Sequence, residues 1–231
     1  MVNHMRHSGL FASCKFPIVL IGAGGIGSST AIMLSKMSDG DIQVYDDDNV
    51  EGINIATQFY RMEDIGQNKA NAISAIANQF SDTTLFTPIP ERYPFSRQNP
   101  AWMVISGVDS IESRKAIWQA LQLAMDWKWY LDARMGAEKF ELYCISRDDI
   151  EWYSKVLSCQ QDELIPDEPC TAKATFYTAA MAAGHIGKTI RMILVGMKPP
   201  VYVAHDIYAD RIVLASRYLV EITQTLEHTD V

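Results

Sequence analysis

Residues 16–27 read Phe16-Pro-Ile-Val-Leu-Ile-Gly-Ala-Gly-Gly-Ile-Gly27, an apolar run that breaks into a glycine loop and then continues as the helical-looking stretch Ser28 to Met37. Strand, glycine loop and helix in this order present backbone N–H groups and the positive end of a helix dipole to a phosphate. Gly22 suits the tight turn, Gly24 lets a phosphate approach the backbone, and Gly27 lets the helix lie close to the strand; Gly25 completes the loop. Glycine-rich turns also serve as plain connectors, so the loop alone leaves nucleotide binding and simple connection both open. A second strand, Asp41 to Tyr45, ends in Asp46, nineteen residues past Gly27, where a carboxylate can accept hydrogen bonds from a ribose.

Outward from the loop the pattern alternates. Strands are predicted at 17–21, 41–45, 83–87, 102–106, 128–132 and 139–145, and helices at 25–37, 66–80 and 111–125. Such alternation predicts an α/β fold, Rossmann-like, with a mainly parallel sheet and helices on both faces. The segment Asn99 to Gly107 holds a continuous apolar run, Ala101 to Ile105, bounded by turn residues, as expected for a strand buried on both faces. Residues 148–169 turn polar and acidic and are predicted as a long loop with one helical turn, of a length common in lids and binding elements. Residues 172–196 are predicted as a buried amphipathic helix, because Lys173, His185, Lys188 and Arg191 make a bilayer span costly. Alternation over 201–205 and 211–215 predicts a terminal hairpin. The expected division is an arm over 1–15, one domain over 16–223 and a frayed tail over 224–231.

With 231 residues and 48% hydrophobic content, the chain can bury one sizeable core. Its net charge of −8 argues against nucleic acid and anionic membrane as general partners, since both are bound mainly through clustered Lys and Arg. Cys14, Cys144, Cys159 and Cys170 form no CxxC pair, so neither structural zinc nor a disulfide framework is expected. No stretch near the start combines a basic end, an apolar core and a small-residue cleavage site, and a cytoplasmic location with reduced thiols is the expectation.

Past Asp46 the chain runs Asp46-Asp-Asp-Asn-Val-Glu-Gly-Ile-Asn-Ile-Ala-Thr-Gln58 and then Asp64-Ile-Gly-Gln-Asn-Lys69. Ser106-Gly-Val-Asp109 follows the buried strand, Arg114 comes five residues later, and Cys170-Thr-Ala opens a helical stretch. On these residues the chain, over roughly 16–196, resembles the ThiF, MoeB and HesA family, bacterial relatives of the ubiquitin-activating E1 adenylation domain. The resemblance implies an ATP-dependent, E1-like adenylyltransferase that activates the C-terminal glycine carboxylate of a ubiquitin-like protein or small peptide. It implies Mg²⁺, a homodimer and an E2-like protein as a further partner. Gly22, Gly24, Gly25 and Gly27 would cradle phosphate, and Asp46 would hold the ribose with Asp48 beside it. Asn54 and Gln58 would position the nucleotide, Lys69 would meet the α- and γ-phosphates, and Asp109 would hold the metal.

Each assignment has a plainer reading. Asp46 to Asp48 can be a solvated turn with Asp48 capping the next segment, Lys69 an exposed cation early in a helix, and Asp109 the cap of helix 111–125 in competition with Ser110. Cys170, at a helix start where a thiolate is stabilised, can form a thioester or simply pack. The family's phosphate-gripping arginine is Thr57 here. A threonine supplies no charged fork, so Arg134, in Leu131-Asp-Ala-Arg-Met135 after a predicted strand, is the expected catalytic replacement, with Arg61 and Arg6 as the others. Two other functions stay open: a nicotinamide-dependent oxidoreductase, which leaves Asn54, Gln58, Lys69 and Asp109 without roles, and a nucleotide-binding module without turnover.

Overall fold

The computed structural model of the chain describes residues 9–10, 13–81, 85–93, 101–160 and 175–215. Apolar strands Ile18–Ile21 (β1), Ile42–Tyr45 (β2) and Met103–Ser106 (β4) lie at the centre of one sheet, flanked by Phe86–Ile89 (β3) and by Trp129–Gly136 (β5), Lys139–Ser146 (β6), Tyr202–Asp206 (β7) and Arg211–Ala215 (β8). The order is β3-β2-β1-β4-β5-β6-β7-β8. From β3 to β5 every pairing is parallel, and from β5 to β8 every pairing is antiparallel. The chain order reverses at β1, which has β2 on one side and β4 on the other. In an open parallel sheet this switch point opens the crevice where ligands bind.

The alternation of side chains along the strands builds two cores. Ile18, Leu20, Ile42, Val44, Met103 and Ile105 face helices Gly25–Leu34 (α1), Lys69–Asn78 (α2) and Phe176–Leu194 (α5). Val19, Ile21, Val104, Tyr130 and Ile145 face Ile111–Leu123 (α3) and Ile150–Ser158 (α4). Helices on both faces and a C-terminal hairpin match the fold expected from the alternation.

Three expectations need correction. Residues 150–158 form an α-helix inside the stretch predicted as loop: Trp152, Tyr153, Val156 and Leu157 recur at helical spacing and are buried, which outweighs the surrounding acids. The third strand lies at 86–89 rather than 83–87, and it runs through Pro88 because β3 is an edge strand with one paired side. The fifth strand continues to Gly136, four residues beyond its predicted end, because β6 pairs with it along all eight residues. Of the expected arm, Cys14 is already tied to the domain, its N–H donating to the Met37 carbonyl at 2.8 Å. The frayed tail, Arg6 and Cys170 lie outside the described residues.

Candidate functional site

The glycine loop leaves β1 through Gly22, whose φ of +87° belongs to the left-handed region that glycine tolerates. A Cβ there would lie 3.1 Å from the Gly107 carbonyl group, so the turn after β1 and the turn after β4 are in contact. At Gly27 a Cβ would lie 1.8 Å from the Gly22 oxygen, which is the close helix-on-strand approach expected of the third glycine. Gly24 faces open space, with nothing within 4 Å of an added Cβ, and as the N-cap of α1 it brings no capping side chain. A helix N-terminus with an open approach fits an anion.

Asp46 closes onto this loop. One carboxylate oxygen accepts from the Ala23 N–H at 2.7 Å and the other from the Asp48 N–H at 2.9 Å. Burial raises its pKa, and those two N–H bonds together with the Lys69 charge offset only part of that rise. Lys69 is buried at the first turn of α2, 9% exposed, with Nζ 2.7 Å from the Asp48 carboxylate. It is therefore not an exposed cation. Two residues given no role in the sequence reading stitch this side of the crevice. Asn68 caps α2 by accepting from the Asn71 N–H, and its amide donates to the carbonyls of Asp46 at 2.9 Å and Asp48 at 3.0 Å. The Tyr60 hydroxyl donates to the Ala23 carbonyl at 2.6 Å. An asparagine before a helix signals a cap in sequence, but nothing in the sequence announces its two carbonyl partners.

Between β2 and α2 the chain makes a short 3-10 turn over Gly52–Ala56, where Asn54 accepts from the Glu51 N–H at 2.8 Å. Gln58 comes next, and its buried Oε1 has no hydrogen-bond partner among the described residues. Arg61 is committed to its own turn, 2.9 Å from Asp64 and 2.6 Å from Glu63.

Across the switch point, the Gly107 N–H donates to the Ile21 carbonyl at 2.9 Å. Ser110, rather than Asp109, caps α3 by accepting from the Ser113 N–H at 3.1 Å, and Asp109 is exposed. Arg114 is buried beneath it and donates to the Val108 carbonyl, the Asp132 carboxylate and the Ala133 carbonyl. The Arg134 guanidinium is also committed: Nε and Nη2 meet Asp132 at 2.9 and 2.8 Å, Nη1 meets Gln160, and the group lies 4.5 Å over the Tyr143 ring. Its bonds go to this buried network and not to the glycine loop. Burial alone would raise the Asp132 pKa, but the charges of Arg114 and Arg134 more than offset it and hold the carboxyl below its ordinary value. Asp46, Asp47 and Asp48 each bring one carboxylate oxygen within 4.8 Å of the others, a group that does not include Asp109.

Burial pushes the Cys14 thiol up to about 11 and raises Cys144 further, so neither offers a thiolate near neutral pH. No helix among the described residues is long and apolar enough to cross a membrane.

A sequence profile of the ThiF family matches residues 5–203. Ubiquitin-like modifier-activating enzyme 5 of Dictyostelium discoideum is 32% identical over 127 residues, covering 48% of this chain and 33% of that protein. The Nedd8-activating enzyme E1 catalytic subunit of Drosophila melanogaster is 32% identical over 111 residues, covering 46% of this chain and 25% of that subunit. The matches thus span a quarter to a third of these relatives' length. Among solved structures, selenomethionine PaaA aligns with a TM-score of 0.67 at 16% identity, over 87% of this chain and 64% of its own. E. coli MccB with AMPCPP and selenomethionine MccA aligns with a TM-score of 0.65 at 15% identity, over the same 87% and 64%. At such identities the likeness is one of fold.

Proposed function

The chain belongs to the ThiF family, and from that premise we propose that it is an ATP-dependent adenylyltransferase acting on the C-terminal glycine carboxylate of a ubiquitin-like protein or a small peptide. The observation that supports this reading is the uncapped N-terminus of α1 with Asp46 closed onto its loop at Ala23 and Lys69 buried beside Asp48, while the β4–α3 turn that leads to the exposed Asp109 touches the same loop at Gly22. A nicotinamide-dependent oxidoreductase has no need of Lys69 or Asp109. The names of the relatives agree: two are activating enzymes for ubiquitin-like modifiers, and MccB has been crystallised with ATP and with AMPCPP plus MccA.

In the proposed reaction a carboxylate oxygen attacks the α-phosphorus of ATP. A C–O–P linkage forms, the bond to the bridging oxygen breaks, and pyrophosphate leaves with the electron pair, giving an acyl-adenylate. Charge shifts among phosphate oxygens, so groups that are positive and fixed before the reaction lower its barrier. The N-terminal N–H groups of α1 and the Lys69 ammonium are of this kind. Asp48 holds Lys69 until phosphate oxygens compete for it. Asp46 accepts from the ribose hydroxyls while its second oxygen keeps the loop in place, and the open Oε1 of Gln58 with the adjoining Asn54 turn fits polar groups of the nucleotide. The residues fit magnesium as well, a hard cation that takes carboxylate and phosphate oxygens; Asp109 would hold it, and when bound it neutralises phosphate charge. With Thr57 in place of an arginine, Lys69 bears a larger share of the phosphate charge. Where Cys170 acts, its thiolate displaces AMP from the acyl carbon to give a thioester.

The test is ATP–pyrophosphate exchange with a candidate ubiquitin-like protein or small peptide that ends in glycine. Exchange that requires that protein or peptide and disappears in Lys69→Ala is the expected result. Absence of exchange, together with reduction of NAD⁺ coupled to oxidation of an added alcohol or hydroxy-acid substrate by the purified chain, would overturn the reading in favour of an oxidoreductase.

A further inference from the structure

We infer that Arg114 and Asp132 are positioning residues that set the loop bearing Asp109, and that through Asp132 they couple this loop to α4. The inference rests on the proposed role of Asp109. The β4–α3 loop touches the glycine turn at Gly22 and is pinned by the Gly107 N–H at Ile21, which fixes its start. What fixes the next residue is Arg114. Its guanidinium reaches back from the first turn of α3 to the Val108 carbonyl, the peptide group that leads directly into Asp109, while another face of the same fork meets Asp132. Asp132 stands level with Ser106 in the β4–β5 register, at the end of the parallel sheet.

Asp132 is fully buried, and every part of its carboxylate is used. Oδ1 takes Arg114, while Oδ2 takes Arg134 and the Tyr153 hydroxyl of α4 at 2.6 Å. Two guanidinium groups, one buried and one largely so, share this single buried carboxylate. That arrangement is expensive as a source of stability alone, since apolar replacements of buried ion pairs are commonly as stable or more so. As a means of aiming a backbone carbonyl it has a geometric use: the planar fork of arginine holds two acceptors at fixed angles, which lysine cannot do.

The variant Arg114→Lys keeps the charge beside Asp132 but cannot also span to Val108. ATP affinity measured by titration calorimetry across a Mg²⁺ series should show its Mg²⁺ midpoint raised roughly 10-fold, within the range seen when groups that orient a metal ligand are removed. Hydrogen exchange in peptides containing Gly107 should be faster in the ligand-free variant. Tyr153→Phe takes one bond from the same carboxylate without touching Arg114, so it should lower the melting temperature and shift the Mg²⁺ midpoint by much less than Arg114→Lys does, the small remaining shift being the coupling to α4. An equal shift of the midpoint in both variants, or unchanged exchange at Gly107 in folded Arg114→Lys, overturns the inference. ATP affinity of the wild-type chain that does not depend on Mg²⁺ overturns the metal role of Asp109 instead, and the exchange comparison still decides the positioning role. Should Arg114→Lys not fold, the wild-type chain provides the measurement: MgATP should slow exchange in residues 150–158, because coupling between sites is reciprocal. Unaltered exchange there overturns the coupling.

Discussion

Two glycines of one loop separate folding from binding when each is replaced by alanine. At Gly24 an added Cβ meets nothing within 4 Å, but the φ of −70° is paired with a ψ of −149°, outside the regions that alanine favours. Alanine also caps a helix less well than glycine, by about 0.5–1 kcal/mol. The net loss of stability is therefore about 1 kcal/mol, or roughly 2–4 °C in melting temperature for a chain of this size. The methyl group, however, enters the open approach to the α1 N-terminus, where a phosphate would sit. Loss of close backbone contact should cost at least about 1.4 kcal/mol, a tenfold weaker ATP affinity. At Gly27 the new Cβ would lie 1.8 Å from the Gly22 oxygen, far inside van der Waals contact, so α1 must shift away from β1. Strain of this kind costs about 1–3 kcal/mol or more, which corresponds to a melting temperature lower by roughly 3–10 °C. Thermal unfolding followed by circular dichroism and ATP titration calorimetry read the two effects. Wild-type ATP affinity in Gly24→Ala would refute the placement of phosphate at this helix end, and an unshifted melting temperature in Gly27→Ala would refute the packing argument.

Lys69→Ala should weaken ATP binding by about tenfold or more with little change in stability, because its partner Asp48 is largely exposed and such pairs contribute about 0–1 kcal/mol; calorimetry with parallel melts checks this. Asp132 has a folded pKa below its unfolded value of about 3.8, so it stabilises the fold above that value and loses this contribution as pH falls through its folded pKa. Urea midpoints should accordingly drop in the acid range, and Asp132→Asn, where it folds, should lack that part of the slope. His185 behaves with the same sign for a different reason: burial first, then Lys188 and His205, depress its pKa below 6.5, so the unfolded chain takes up the proton more readily. Stability should start to fall as pH drops through about 6.5, and His185→Gln should flatten that part of the urea-midpoint profile.

The sequence is legible wherever local pattern determines the structure. Phe16 to Gly27 carries its own geometry because glycine is required at the turn and at the helix contact, and the alternation of apolar runs sets the sheet and its two helix layers. Asp46 stands out through its spacing from the glycine loop and Lys69 only through the family resemblance; the structure puts Asp46 against the loop at Ala23 and buries Lys69 beside Asp48. Misreadings arise where partners are distant in sequence. Residues 150–158 read as part of an acidic loop because their helix is stabilised by burial against Trp118, Tyr130 and Tyr143, contacts that no local window contains. Arg134 reads as available because the sequence does not show that Tyr153 and Gln160, 19 and 26 residues later, close a buried network around it and Asp132. Tyr60 and Asn68 escape notice for a similar reason: their importance lies in which carbonyls they reach, and those belong to residues 37 and about 20 positions away.

The β1–β4 pairing also has a meaning for folding. Ile18 lies beside Met103, 85 positions along the chain, the widest separation of any strand pair in the sheet. The β5–β6 and β7–β8 hairpins are local by comparison and need little loop closure before contacts reward them. The slowest part of the sheet to assemble is thus the seam on which the glycine loop and the Asp109 loop meet. A refolding chain gains its nucleotide crevice only when that seam closes, so acquisition of ATP binding during refolding reports the completion of the sheet and not the first appearance of its strands.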